Sequence, residues 1–214
     1  MRMKRLFPLL CLLLPLCLLT ACEDNAGEED NSEFTDNWTQ RNADFFSQTM
    51  AQARQAVAEA KANYGEAWED HCDWRVFRSY AKMPGGPQTD SICAKIVRRG
   101  EGTVKPLYTD SVKVFYIGRL IPTASYPEGR VFDYSGIYAE DDYVFNPDFS
   151  QPRAFAVSNL VEGYSTALMH MHVNDRWVVY IPQELGYGSA SATLLPAYST
   201  LIFDLQLRAI YRKE

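Results

Sequence analysis

The sequence is short of several things. It has no apolar run long enough to cross a bilayer: Leu6 to Leu19 is almost wholly apolar, yet it falls short of the roughly 20 residues that a spanning helix needs. It has no clustered basic patch. Lys and Arg number 21 against 27 Asp and Glu, a net charge of −6, which argues against a nucleic-acid partner. It has three His and no His/Cys set at metal-ligand spacing. His170 and His172 stand two apart with no third ligand nearby, and His71 has only Cys72 beside it, so neither place reads as a metal site. No Ser–His–Asp set stands out for nucleophilic chemistry. Neither a metal nor another cofactor is expected. Cysteine is scarce in the body of the chain: of five, three lie within the first 22 residues, which leaves Cys72 and Cys93.

What is present begins with a secretory signal. Arg2, Lys4 and Arg5 precede the apolar run, which ends in Leu19-Thr20-Ala21-Cys22. Small residues before a cleavage point mark such a signal, and residues 1–21 are set aside from the fold. The Cys directly after them resembles the lipobox of bacterial lipoproteins. That resemblance implies lipidation at Cys22 and a membrane-anchored lipoprotein of the bacterial cell envelope, on its periplasmic face or the outer-membrane surface. An ordinary secretory signal with an incidental Cys is the alternative. Between Cys22 and Arg41 the chain has Glu23, Asp24, Glu28, Glu29, Asp30, Glu33 and Asp36 and no Lys or Arg. Residues 22–40 are therefore expected to be a disordered acidic tether. Acidic residues behind a lipidated Cys also resemble the surface-export tags of Bacteroidetes lipoproteins; a plain solvated spacer accounts for them equally. Cys72 and Cys93, the thiols left besides Cys22 in an exported chain, are expected to pair.

From Arg41 to Asn63 the period is helical. Phe46, Met50, Ala53, Val57 and Ala60 recur at spacings of three and four among polar residues, and Gly65 stands where a helix would stop. Trp68 to Tyr80 reads as a second short helix. Residues 41–83 thus form a helical N-terminal segment, free to pack on the next domain or to join two copies as a homodimer. Met83-Pro84-Gly85-Gly86-Pro87 is a strong breaker and the expected domain boundary. Beyond it the pattern becomes β: Ile92 to Arg98, Ser111 to Leu120, Gly129 to Phe132, Ala154 to Val157, Arg176 to Ile181 and a long last strand from Leu201. Gly163 to Met171 can make two helical turns, and Tyr134 to Gln151 is a long loop. The expected class is α+β, an antiparallel sheet with one short helix over a face.

Five stretches of this second part, in order, resemble the FK506-binding-protein family of peptidyl-prolyl cis–trans isomerases. VKVFYIGRL is similar to a family strand ending Tyr-x-Gly-x-Leu. GRVFDYS is similar to its Phe-Asp-x-Ser turn. FAVSNLVEGYSTAL, RWVVYIPQELGYG and LLPAYSTLIFDLQL are similar to the family's helix segment, Tyr-Gly loop and closing strand. The resemblance covers Ser91 to Tyr211, within an expected isomerase domain of residues 91–214, and implies an antiparallel sheet wrapped around a short helix, with a substrate pocket between them. Carried over by position, Tyr116, Phe132, Asp133, Val161, Tyr187 and Phe203 are the catalytic set, and Leu160, Tyr164 and Leu195 bind substrate. Val161 matches a backbone N–H that holds a substrate carbonyl, Tyr187 a hydroxyl that bonds the next, and Asp133 a carboxylate that fixes pocket side chains. Taken singly, Tyr116, Phe132 and Phe203 also read as core aromatics and Asp133 as a turn residue; what distinguishes them is their joint fit to one pocket. Two departures stand out. Tyr164 occupies the floor position where most members have Trp, and Arg153 a position that is apolar in many.

The implied reaction needs no nucleophile or proton transfer. Rotation about X–Pro must break amide resonance, with a barrier of about 18–20 kcal/mol. The twisted transition state is less polar than the planar amide, so a dry aromatic pocket favours it. The partners implied are proline-containing polypeptides and a membrane, and the function is folding of exported proteins. Two other readings stay open: a non-catalytic binding or chaperone module that docks a Pro-containing segment, and a surface lipoprotein subunit in nutrient capture.

Overall fold

The computed structural model describes residues 32–135 and 151–212. The lipidation site, the signal, most of the acidic stretch and the body of the 134–151 loop lie outside the described residues. Those described belong to one compact unit. Helix α1 spans Trp38–Tyr64. Strands β1 (Trp74–Arg78), β2 (Ser91–Arg98), β3 (Ser111–Arg119), β4 (Val131–Tyr134) and β5 (Arg153–Ala156) follow. Then come helix α2 (Glu162–Leu168) and strands β6 (Arg176–Ile181) and β7 (Leu201–Tyr211). Every strand pairing is antiparallel, in the order β1-β2-β6-β7-β3-β4, with β5 also on β3. The α+β class read from the sequence is the observed one.

The sheet buries one face along its length and the other at its β1–β2–β6 end, and strand alternation sorts its residues between them. Ile92, Ala94 and Ile96 of β2, with Trp177, Val179 and Ile181 of β6 and Leu201, Phe203, Leu205 and Leu207 of β7, form the main core, shared with Ala167 and Leu168 of α2. Cys93 points the other way, to a second cluster with Phe46, Met50 and Ala53 of α1, flanked by Trp74, Val76 and Tyr180. Close approach of α2 to the sheet depends on Gly163. A Cβ there would lie 2.3 Å from Ile181 Cγ2, well inside contact distance.

The structure corrects several expectations. The acidic tether does not run to residue 40. Phe34 and Trp38 are buried, the Trp38 indole donates to Ser199 Oγ at 3.0 Å, and α1 begins three residues before Arg41. Charge misled here because two aromatics sit inside the acidic run and find a core supplied by distant segments. Trp68 to Tyr80 is not a helix. A 3-10 turn covers Gly65–His71, and β1 follows, with Val76 opposite Cys93 and Phe77 opposite Ile92 on β2. Trp, Val and Phe favour a pleated, half-buried surface, and β2 offers the edge. The Pro/Gly stretch after Lys82 is consequently a strand connection and not a domain boundary. Arg78 bonds Asp90 across it at 2.8 Å, and Ser79 donates to Glu162 of α2. The apolar stripe of α1 that could have joined two copies is covered by the chain's own sheet. The α1 N-terminus is tied down again where Asn42 Oδ1 accepts from Thr200 N–H at 2.7 Å.

Cys72 and Cys93 are both free and buried. Val76, opposite Cys93, lies four residues beyond Cys72. That separates the two by about 13 Å along the strand, against the roughly 7 Å a disulfide spans. Burial pushes the Cys93 thiol up to about 12.

Candidate functional site

The site grows from an interruption in the edge of β3. β5 pairs with Ser111–Val114, and β4 takes Ile117–Arg119. Tyr116 falls between the two stretches. Its backbone is held by Ser135, whose Oγ accepts from Tyr116 N–H at 2.8 Å and whose N–H donates to Tyr116 O at 2.9 Å. The gap brings the ends of β4 and β5 together over one ring. Asp133 from β4 accepts from the Tyr116 hydroxyl at 2.8 Å, and Arg153 from β5 donates to the same hydroxyl at 3.0 Å. Arg153 also reaches Asp133 Oδ1 at 3.4 Å. Burial, then the bond to Asp133, raises the Tyr116 pKa well above its ordinary value, while Arg153 opposes the rise. The phenol therefore stays protonated and donates to a carboxylate that a guanidinium also faces.

The other wall comes from the opposite side of the core. Val161 caps α2, its carbonyl accepting from the N–H groups of Tyr164 and Ser165. The Tyr164 ring stands edge-on to Phe203 of β7 at 4.9 Å and perpendicular to Tyr116 at 6.2 Å. Tyr116, Tyr164 and Phe203 make a box that encloses, with Asp133, Phe155, Asn159, Leu160, Val161 and Tyr187, a cavity of about 140 Å³. Tyr187 is supplied by the 182–199 loop and stays 45% exposed.

Seven of the nine site residues read from the sequence line this cavity; Phe132 and Leu195 do not. Phe132 stands edge-on to Phe203 at 5.5 Å. It packs over Gly118, where a Cβ would meet Phe132 Cζ at 2.7 Å and Phe203 Cε1 at 2.8 Å. It braces a wall and is not one of the walls. Leu195 is buried in the core and bridged to Ala192, because the loop folds its side chain inward. Phe155 and Asn159 were missed. The signal for Phe155 was its period-2 relation to Arg153 on a short strand. Asn159 had none. A larger recess of about 280 Å³ lies around Arg75, Arg99, Lys105, His170 and Trp177. Its arginines are occupied with the carbonyls of Glu69 and Cys72, and it shares no residue with the aromatic box.

A sequence profile of the family "FKBP-type peptidyl-prolyl cis-trans isomerase" matches residues 102–208, half of the chain. The chain belongs to the FKBP-type peptidyl-prolyl cis–trans isomerase family. It is 36% identical over 132 residues to the FKBP-type 22 kDa peptidyl-prolyl cis-trans isomerase of Escherichia coli, an overlap of 61% of this chain and 55% of that one. It is 31% identical over 130 residues to the macrophage infectivity potentiator of Trypanosoma cruzi, covering 60% and 55%. It is 30% identical over 131 residues to FkpA of Aeromonas hydrophila, covering 61% and 42%. The chain thus spans about half the length of these relatives. In this FKBP-type domain the matched region takes in β3, β4, β5, α2, β6 and most of β7, the elements that build the aromatic box, and leaves out α1, β1 and β2.

Proposed function

We propose that this protein catalyses cis–trans isomerisation of X–Pro bonds in exported polypeptides. One observation carries the reading: three aromatic rings from β3, α2 and β7 converge on a single small cavity with an orienting polar group on each side. The prolyl ring enters the box, walled by the rings of Tyr116, Tyr164 and Phe203. As the amide twists and loses resonance it becomes less polar, so this environment favours the transition state over the planar ground state. The Val161 N–H has no acceptor among the described residues, which suits it to hold a substrate carbonyl. The Tyr187 hydroxyl, on a residue that lines the same cavity, takes a second. Asp133, held by Tyr116 and Arg153, keeps the wall in register. Each tenfold in rate corresponds to about 1.4 kcal/mol of differential stabilisation, which a few such contacts supply. The test is a peptide assay in which only the trans Pro form is cleaved, run with a chelator present. Acceleration over the spontaneous rate supports the reading. A folded protein without it acts as a binding module for Pro-containing segments.

The chain is further proposed to be an envelope lipoprotein anchored by lipid on Cys22. The support is sequence alone: the basic start, the short apolar run and Cys22 behind Thr20-Ala21. Cys22→Ser is expected to move the protein from the membrane to the soluble fraction; equal retention in the membrane would place the anchor elsewhere. A homodimer through α1 would have to use a face other than the stripe buried against its own sheet, or exchange the helix between copies.

A further inference from the structure

The floor of the cavity holds a polar group that nothing in the protein satisfies. Tyr164 is 4% exposed, and its hydroxyl is buried with no hydrogen-bond partner among the described residues. An unpaired buried hydroxyl is destabilising, and natural interiors rarely leave one without a reason. The ring cannot swing away to find a partner. Phe203 and Tyr116 clamp it on two sides at 4.9 and 6.2 Å. The neighbouring acceptors are engaged elsewhere: the Tyr116 hydroxyl donates to Asp133 and accepts from Arg153, and Asp133 takes bonds from Tyr116, Arg153 and the Tyr134 N–H. Tyr164 nevertheless lines the cavity. Besides burial, the groups that raise its pKa are Tyr116, Asp133 and Tyr187, all of which line it.

We propose that the Tyr164 hydroxyl is a substrate-binding donor, left unpaired in the free protein and satisfied by a carbonyl of the bound proline peptide. This rests on the isomerase reading of the pocket and adds to it a specific contact at the floor. The chemistry narrows the acceptor. Proline brings no N–H, so a peptide lodged in the box offers carbonyl oxygens and the phenol must donate. The carbonyl of the isomerising amide is excluded. A donor there would stabilise the planar, resonance-polarised form and oppose rotation. A flanking carbonyl keeps its polarity throughout, so the bond is made equally in ground and transition states. Such uniform binding shows in KM and not in kcat.

The experiment compares full-length wild type with Tyr164→Phe, which removes the oxygen and keeps the ring. Three quantities are read: the melting temperature, kcat and KM on a tetrapeptide with Leu-Pro at its centre, and calorimetric affinity for the same peptide. The variant should melt about 2–6 °C higher, because an orphaned buried hydroxyl has gone. It should bind the peptide about three- to tenfold more weakly, as one neutral hydrogen bond is lost, with the loss carried by KM. A variant that melts lower shows that the hydroxyl is already paired in the free protein and overturns the proposal. So does unchanged KM and affinity, or a loss confined to kcat. Failure of the isomerase reading looks different. The wild type itself would show no catalysis, while the calorimetric comparison would still decide whether Tyr164 contacts the peptide.

Discussion

At the scale of residues, the site is organised around one phenol. Tyr116 stands where the β3 edge passes from one partner strand to another, and Asp133 and Arg153 meet on its hydroxyl. A carboxylate that accepts from both a phenol and a guanidinium is held more firmly than one facing water, and it positions the ring in return. Removing either end should loosen the same wall. Asp133→Ala is expected to lower kcat/KM about tenfold or more, and Tyr116→Phe by less, because the ring remains. The double variant should fall short of the sum by about 0.5–3 kcal/mol, as contacting residues do. A double-mutant cycle on kcat/KM reads this directly. Additive losses would mean that the two act on the substrate independently. Gly118 belongs to the same scale. Phe132 and Phe203 close over β3 only because it has no Cβ.

Elements are held by a few polar locks in addition to their apolar faces. One joins the end of β7 to the start of β3. Asp110, 1% exposed, accepts from Arg212 at 3.0 Å and from the Leu107 N–H at 2.9 Å, while its own carbonyl accepts from Val157 N–H, just after β5. The Arg212 hydrogen bond holds the Asp110 carboxyl below the usual carboxylate range. A carboxyl with a depressed folded-state pKa stabilises the fold above its unfolded pKa, about 3.9 for Asp, and that contribution is lost as pH falls through the folded value. Asp110→Asn should therefore melt lower than wild type at neutral pH. The gap should persist down to about pH 4 and close below it. Thermal melts across that range check the window; a gap independent of pH would assign the effect to packing alone.

For the molecule as a whole, α1 converts a one-sided sheet into a two-sided one. With α2 on one face and α1 on the other, the β1–β2–β6 end is enclosed, and both remaining cysteines are shut in with it. Cys93 lies beneath Phe46, Met50 and Ala53, and its thiol is pushed up to about 12 by burial. Neither property suits an alkylating reagent, which reacts with exposed thiolates. The folded, unreduced protein should leave Cys72 and Cys93 unmodified, and unfolding should release two reactive thiols beyond any within the first 22 residues. No such release from the unreduced protein would mean that the two are oxidised.

The sequence by itself determined the order and type of most elements. Period-2 alternation in β3, β6 and β7 and the three-and-four spacing of α1 are local properties of the chain, legible because each element buries a definite face. It also determined most of the site, since Tyr116, Asp133, Leu160, Val161, Tyr164, Tyr187 and Phe203 could be matched in order to one family pocket. Only the tertiary structure decided the rest. Trp74–Arg78 became a strand because β2 had an open edge. Phe34 and Trp38 joined the core because Ser199 and the main cluster met them there. Cys72 and Cys93 stayed apart because the β1–β2 register separates them, and Arg153 found Asp133 because β4 and β5 share an edge of β3. Each of these depends on which strand lies beside which and in what register. Pairing of that kind joins residues far apart in the chain, so no local period records it.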